Sequence, residues 1–218
     1  MTYLVRAPKK QQVQEIYQRV ENIAKGATLM TGTSLEIDFE GAASNLIPNK
    51  TLYDTMQQQI LEIGMPAYTI EDEQHAQAIY NTFTPEVQAS ALVGLYREDA
   101  MQLKDQVIAN HIPNVLPEFV MGGSTDVGDV SWNVPTVQCT TVCMALGTPL
   151  HTWQVVSQGI MPIAHKGMLQ AAKIMACTAV ELINNPALIE EAKKEWKDRL
   201  DGETYVSLIP EGTLPPKL

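Results

Sequence analysis

Between Ser34 and Glu40 the chain reads Ser-Leu-Glu-Ile-Asp-Phe-Glu, with Leu35, Ile37 and Phe39 on one side and acids on the other. A period of two is the pattern of a half-buried strand. A different period precedes it. Val13, Ile16, Tyr17, Val20, Ile23, Ala24 and Ala27 fall on one face of a helix that begins near Lys10. Thr2 to Val5 is short and β-prone, and Arg6-Ala7-Pro8 ends it. The chain therefore opens as strand, helix, strand, each with one apolar face. A second helix follows Asn49, a residue suited to capping it, with Leu52, Met56, Ile60 and Ile63 as its buried stripe and Gly64-Met65-Pro66 as its stop. A unit this small, residues 1–65, is short for an independent core and is expected to pair with further chain or a second copy.

Residues 66–218 form the second expected domain. Thr69 and Asp72 sit in capping positions of a helix that runs to Thr82, and Thr84-Pro85-Glu86 starts another. Pro113 and Pro117 break the stretch that follows. Met121 to Asp129 is a glycine-rich loop, Val137 to Met144 a buried strand candidate, and Gly147-Thr-Pro-Leu-His151 a loop leaving that strand. Lys166 to Ile183 reads as a helix apolar nearly all round, which should be covered on most faces. Asn185-Pro186 opens a final amphipathic helix, and the tail from Gly202 has no period.

Composition narrows the function classes. A net charge of -10 and a pI near 4.8 argue against nucleic acid, which demands clustered Lys and Arg. The short basic runs, Lys9-Lys10 and Lys193-Lys194, read as solvated helix faces. A charged fraction of 18% beside 45% apolar residues hints at burial in an interface or against further chain. Three cysteines without a Cys-x-x-Cys fit a reduced, cytoplasmic compartment. The first residues do not read as a signal peptide, and no apolar run reaches the length of a membrane span.

Few residues carry chemistry on their own. His75, His111, His151 and His165 form no His-x-Asp or His-Glu-x-x-His pair. His75 reads as solvated surface, His111 as the end of a helix and His165 as the polar start of one. His151 sits on a loop after a buried strand, where α/β proteins place functional groups. A lone loop histidine is nonetheless more often structural, because a metal site needs several ligands. Gly122, Gly123, Ser124, Thr125 and Asp126 offer consecutive backbone N–H groups and two hydroxyls that could cradle a carboxylate, or form a tight turn with a helix cap. Glu71-Asp72-Glu73 and Glu190-Glu191 read as solvated helix faces, and Cys139, Cys143 and Cys177 as buried, inert thiols.

Three stretches together resemble one family. They are Tyr3-Leu-Val-Arg-Ala-Pro8, Gly122-Gly-Ser-Thr-Asp-Val-Gly-Asp-Val-Ser-Trp132, and Gly147-Thr-Pro-Leu-His-Thr-Trp-Gln-Val-Val-Ser-Gln-Gly159 followed by Ala164-His-Lys-Gly-Met168. Their order and spacing resemble the zinc aminoacylase and carboxypeptidase type of metallohydrolases. Within it they look most like the amidohydrolases of the p-aminobenzoyl-glutamate hydrolase kind, in their B-type subunit. The resemblance implies an α/β chain. Residues 1–65 would be part of a ferredoxin-like lid that makes the dimer, and residues 66–218 the C-terminal part of the catalytic domain. It implies two divalent metals, usually zinc, in the intact site, about 3.5–4 Å apart, polarising an amide and activating a water. His151 matches the last metal ligand. Gly122 to Asp126 matches the loop near the substrate's carboxylate, with Thr125 where many relatives have Glu. The other ligands and the general base have no match here, nor does the lid histidine, so metal is expected not to bind this chain tightly. The implied partners are a second copy through residues 1–65, a complementary N-terminal part or A-type subunit, and a small amide substrate.

Two function classes follow. One is a piece of an amidohydrolase that cleaves an aminoacyl or aminobenzoyl-glutamate amide and is inactive alone. The other is a non-catalytic dimerising or ligand-binding module.

Overall fold

The computed structural model describes residues 1–112 and 123–214. Among them run nine helices: α1 (Lys10–Thr31), α2 (Lys50–Ile63), α3 (Ile70–Tyr80), α4 (Pro85–Ser90), α5 (Arg97–Leu103), α6 (Val127–Ser131), α7 (Trp153–Gln158), α8 (Pro162–Asn184) and α9 (Pro186–Leu200). The chain divides into two compact units. The first takes the described residues of 1–50, 120–136 and 190–218, and the second those of 51–119 and 137–189.

The helices begin where the sequence places caps. Thr69 accepts from the Asp72 amide while Asp72 accepts from the Thr69 amide at 2.7 Å, a reciprocal box at the head of α3. Thr84 accepts from Val87 N–H ahead of Pro85 on α4. α1 ends on Gly32 at φ 65, the left-handed turn that glycine takes without penalty.

The α/β expectation is corrected among the described residues, which contain no strand. Residues 2–5, 34–40 and 137–144 lie in neither helix nor strand and form no ladder. A strand exists through hydrogen bonds to a neighbour, and an apolar alternation supplies a face but no partner. Phe39 meets Tyr17 of α1 edge-on at 5.9 Å between centroids, so one residue of the alternation does find apolar cover. Leu35 and Ile37 stay exposed.

In the first unit the core is Ile47, Trp132 and Leu200, with Trp196 and Tyr205 against it. Lys10, expected on a solvated face, is instead 7% exposed. Its ammonium lies 3.3 Å from the centroid of the Trp132 ring and donates to the Thr204 carbonyl at 3.4 Å. The burial is tolerated because ring face and carbonyl together replace the lost water.

In the second unit Ala76, Ile108, Ala145 and Ile163 form the core, with Tyr68, Ile79, Val107, Val142 and Met161 packed against it. Asp72 corrects the reading of an acidic surface run. Glu71 and Glu73 are exposed, but Asp72 is 1% exposed and paired with Lys166 of α8. Lys166 also donates to the Ala67 carbonyl at 3.0 Å. Burial pushes the Asp72 carboxyl up, yet the hydrogen bonds from Lys166 and from the Thr69 amide and hydroxyl, with the lysine charge, outweigh it and hold the carboxyl below its ordinary value. A lowered folded pKa contributes stability above the unfolded value of about 3.9, and that stability is lost as pH falls through the folded value. Asp72→Asn should therefore cost about 3 kcal/mol near neutral pH. Urea midpoints of wild type and variant should converge only as pH falls from about 4 through the lowered folded value, below which the carboxyl is protonated in both states of the wild type. A gap that stays constant from pH 7 to pH 3 would count against this account.

Candidate functional site

The most specific stretch of the sequence turns out to be a clamp. Gly128 lies so close to the chain at Ser44 that a Cβ on it would stand 2.0 Å from the Ser44 carbonyl oxygen. The next residue, Asp129, accepts from the Ser44 hydroxyl at 2.6 Å and from its amide at 3.3 Å. Ser131, fully buried, accepts from Ile47 N–H at 2.8 Å. The Trp132 indole donates to the Asn45 carbonyl at 2.8 Å, and the Trp196 indole to the Ser131 carbonyl at 2.8 Å. Most residues from Gly128 to Trp132 thus have a fixed partner, which is why these residue types stand in this order.

The clamp fixes the candidate loop that precedes it. Gly123, Ser124, Thr125 and Asp126 are all exposed, and Gly123 has open space around the position a Cβ would take. Gly122 lies outside the described residues. Thr125 accepts from Val127 N–H through its hydroxyl at 3.3 Å and from Gly128 N–H through its carbonyl at 3.0 Å, so the residue forms a tight turn, while the N-cap of α6 is Asp126, which makes no side-chain cap bond. The guanidinium of Arg6 donates to the Ser124 hydroxyl at 3.3 Å across 118 residues of sequence. The sequence singled out the stretch that holds Arg6 but not its nearness to the loop, because only the fold brings residues 6 and 124 together.

His151 belongs to the second unit. It is exposed and has φ 60, one of two non-glycine residues among those described with a positive φ. Such backbone strain is kept where the surrounding structure over-determines it, and it is found often at functional sites. The over-determination is visible. Gln158, 2% exposed, accepts from Ala145 N–H at 2.7 Å and donates to the Thr148 hydroxyl at 3.1 Å and the Gln154 carbonyl at 3.0 Å. Thr152 donates to the Pro149 carbonyl at 2.7 Å. Gly147, at φ 79, passes Ala91 so closely that a Cβ would stand 2.8 Å from the Ala91 Cβ.

Of the other histidines, His75 and His111 are placed differently from expectation, and His165 stands where the sequence puts it, at the start of a helix. His75 is half-buried rather than solvated, and its Nδ1 is buried with no hydrogen-bond partner among the described residues. His111 does not end a helix: α5 stops at Leu103, and the His111 Nε2 lies 2.8 Å from a carboxylate oxygen of Asp99, which is 1% exposed. His165 lies in the first turn of α8 and is exposed. In Ala164-His-Lys-Gly-Met168 the packing residues are Lys166, through Asp72, and Gly167, whose absent Cβ would stand 2.3 Å from the Val142 carbonyl oxygen. Cys139 and Cys143 are half-buried, and burial pushes the Cys139 thiol up against a smaller lowering by a backbone hydrogen bond. Cys177, expected to be buried, is exposed on α8.

Among the described residues, no three His, Cys, Asp or Glu side chains gather where a cation could sit. A catalytic zinc uses three protein ligands. His151, exposed and without such company, does not by itself fit one.

Comparison with known proteins places the chain. It is 42% identical, over 99% of its length, to the B-type subunit of p-aminobenzoyl-glutamate hydrolase from Escherichia coli (strain K12). The chain is related to that hydrolase. It spans 47% of the bacterial subunit's length, about half. More distant similarity links it to the Xaa-Arg dipeptidases of Mus musculus, 27% identical over 95% of the chain, and of Homo sapiens, 24% identical over 96%. The chain spans 38% of each. No family model and no solved structure matches it. The relationship to the hydrolase takes in the clamp and the His151 loop together, since the match runs through 99% of the chain. Among the described residues no helix is long and apolar enough to cross a membrane.

Proposed function

We propose that this chain acts as part of a metal-dependent amidohydrolase that cleaves an aminobenzoyl-glutamate or aminoacyl amide. The observation that carries the reading is the 42% identity to the hydrolase over 99% of the chain. The more distant relatives are both dipeptidases by name, which supports amide cleavage as the reaction class.

In this reading residues 1–65 belong to a lid through which two copies associate, and residues 66–218 to the catalytic domain. Segments 2–5, 34–40 and 137–144 then take up strand pairing when further chain lies beside them. His151 serves as one ligand of a divalent metal, with the other ligands supplied from outside the 218 residues. The loop from Gly122 to Asp126, with Arg6 beside it, receives the substrate's carboxylate. Exposed amides and hydroxyls suit an anion, and the guanidinium brings a positive charge beside Ser124. An A-type subunit is the proposed hetero-partner.

Titration tests the loop. Adding p-aminobenzoyl-glutamate to the 218-residue chain should shift the amide resonances of Gly123 to Asp126 in NMR spectra, with millimolar affinity because a single anion loop makes few contacts. The uncharged diamide of the same compound should leave them in place. Equal shifts with both compounds, or none with either, would remove the carboxylate role from the loop.

A further inference from the structure

The longest helix is apolar on two opposite sides. In α8 the buried residues are Ile163, Gly167, Gln170, Ile174 and Thr178, a single stripe at intervals of three and four. This packed side contains a glycine, a glutamine and a threonine. The side facing away is the more apolar one. Met168, Leu169, Met175, Val180 and Ile183 each keep more than half of their surface exposed, and Ala172, Ala176 and Ala179 between them are exposed as well. At 3.6 residues per turn these eight positions fall on one arc, wider than the ~100° stripe of an ordinary surface helix. A helix built this way is stable inside a fold, covered on both sides. It is also not a membrane span.

We propose that this arc of α8 is the docking surface for the rest of the hydrolase fold, a polypeptide homologous to the part of the Escherichia coli protein that this chain does not match. The inference rests on the amidohydrolase reading. Three observations select this occupant over a second copy. More than half of the relative's length lies outside the match, while the match itself runs through 99% of this chain. In the amidohydrolase reading that length completes the same fold, and so packs against a surface of the matched part. The arc also has the composition of a domain interior. Three of its eight positions are alanine, which is depleted at interfaces between separately folded proteins, and it carries neither the Trp, Tyr or Phe nor the arginine enriched there, with methionine the one enriched type present. Finally, the arc lies opposite a packed side, which makes α8 an inner layer rather than a rim.

The test is co-expression of the tagged 218-residue chain with the unmatched remainder of the Escherichia coli protein. A complex should be recovered, and hydrogen exchange should show α8 protected in it beyond the free chain. The triple variant Met168→Gln, Met175→Gln, Ile183→Gln changes only exposed positions. It should keep the helicity and unfolding midpoint of the free chain, bind less of an environment-sensitive apolar dye, and weaken the complex by at least about 10-fold. Three outcomes overturn the proposal: no complex, a complex that the triple variant leaves at full strength, or a homodimer of the free chain that the triple variant dissolves. Hydrolysis is not the readout. An inactive complex held by α8 would leave the docking surface standing and sink the amidohydrolase reading instead.

Discussion

Gly128→Ala is expected to cost the first unit about 3 kcal/mol or more, at the upper end of what overpacking does. The added methyl would meet the Ser44 carbonyl oxygen at 2.0 Å, and that atom is backbone. No side chain can rotate away to make room. The two segments must separate, and separation stretches the Asp129 contacts to Ser44, the Ser131 contact to Ile47 and the Trp132 contact to Asn45 together. Tryptophan emission reports the event. Trp132 is buried and Trp196 half-buried in this unit, while Trp153 is already exposed in the other. The variant should therefore show a red shift at urea concentrations where wild type is still folded. Gly26→Ala is the matched control. Gly26 lies inside α1 with nothing within 4 Å of the place the new methyl would take, so the same substitution should stabilise by about 0.5–1 kcal/mol through helix propensity. Equal effects at the two positions would show that the close approach at Gly128 is not what the residue is for.

The helices were legible because their signals are local. The Thr69 and Asp72 box, the Thr84-Pro85 start, the Pro186 start and the 3.6 period of residues 10–27 each act within a few turns, and each marks a helix of the structure. The strands were not, because a strand is a relation between two segments. The alternation of Leu35, Ile37 and Phe39 states which side would be buried and says nothing of whether a neighbour exists to pair with. Charge was misread for a related reason. Lys10 and Asp72 look like surface residues in any local window. Both are buried because distant groups replace their water: the Trp132 ring and Thr204 carbonyl for one, Lys166 for the other. The motif region was legible as a motif and opaque as to role. Gly128 to Trp132 carries its identities for packing and hydrogen bonding, and the exposed atoms available to a ligand are those just before it, at Gly123 to Asp126.

The 218-residue chain, incubated with p-aminobenzoyl-glutamate and zinc, is expected to release no p-aminobenzoate above the buffer rate. The number of ligands decides this. His151 is the one residue that the family resemblance offers as a ligand, and a hydrolytic zinc needs three from protein and a base to take the proton of its water. Absence of the base alone lowers rates by roughly 10²–10⁴-fold, and without the metal the water is not activated at all. The complex with the complementary remainder of the Escherichia coli protein should turn over, because that remainder is the proposed source of the other ligands. In the complex His151→Ala should abolish turnover and lower the zinc content. His75→Ala should change neither, since the half-buried His75 ring is not proposed to touch metal or substrate. The backbone at His151 sharpens the comparison. At φ 60 an alanine is more strained than a histidine or asparagine, so His151→Asn separates loss of the imidazole from loss of the loop. It should keep the loop's stability and still lose the metal. Chelator-sensitive hydrolysis by the 218-residue chain alone, or a His151→Asn complex with full zinc and full turnover, would show that the metal is held by other residues.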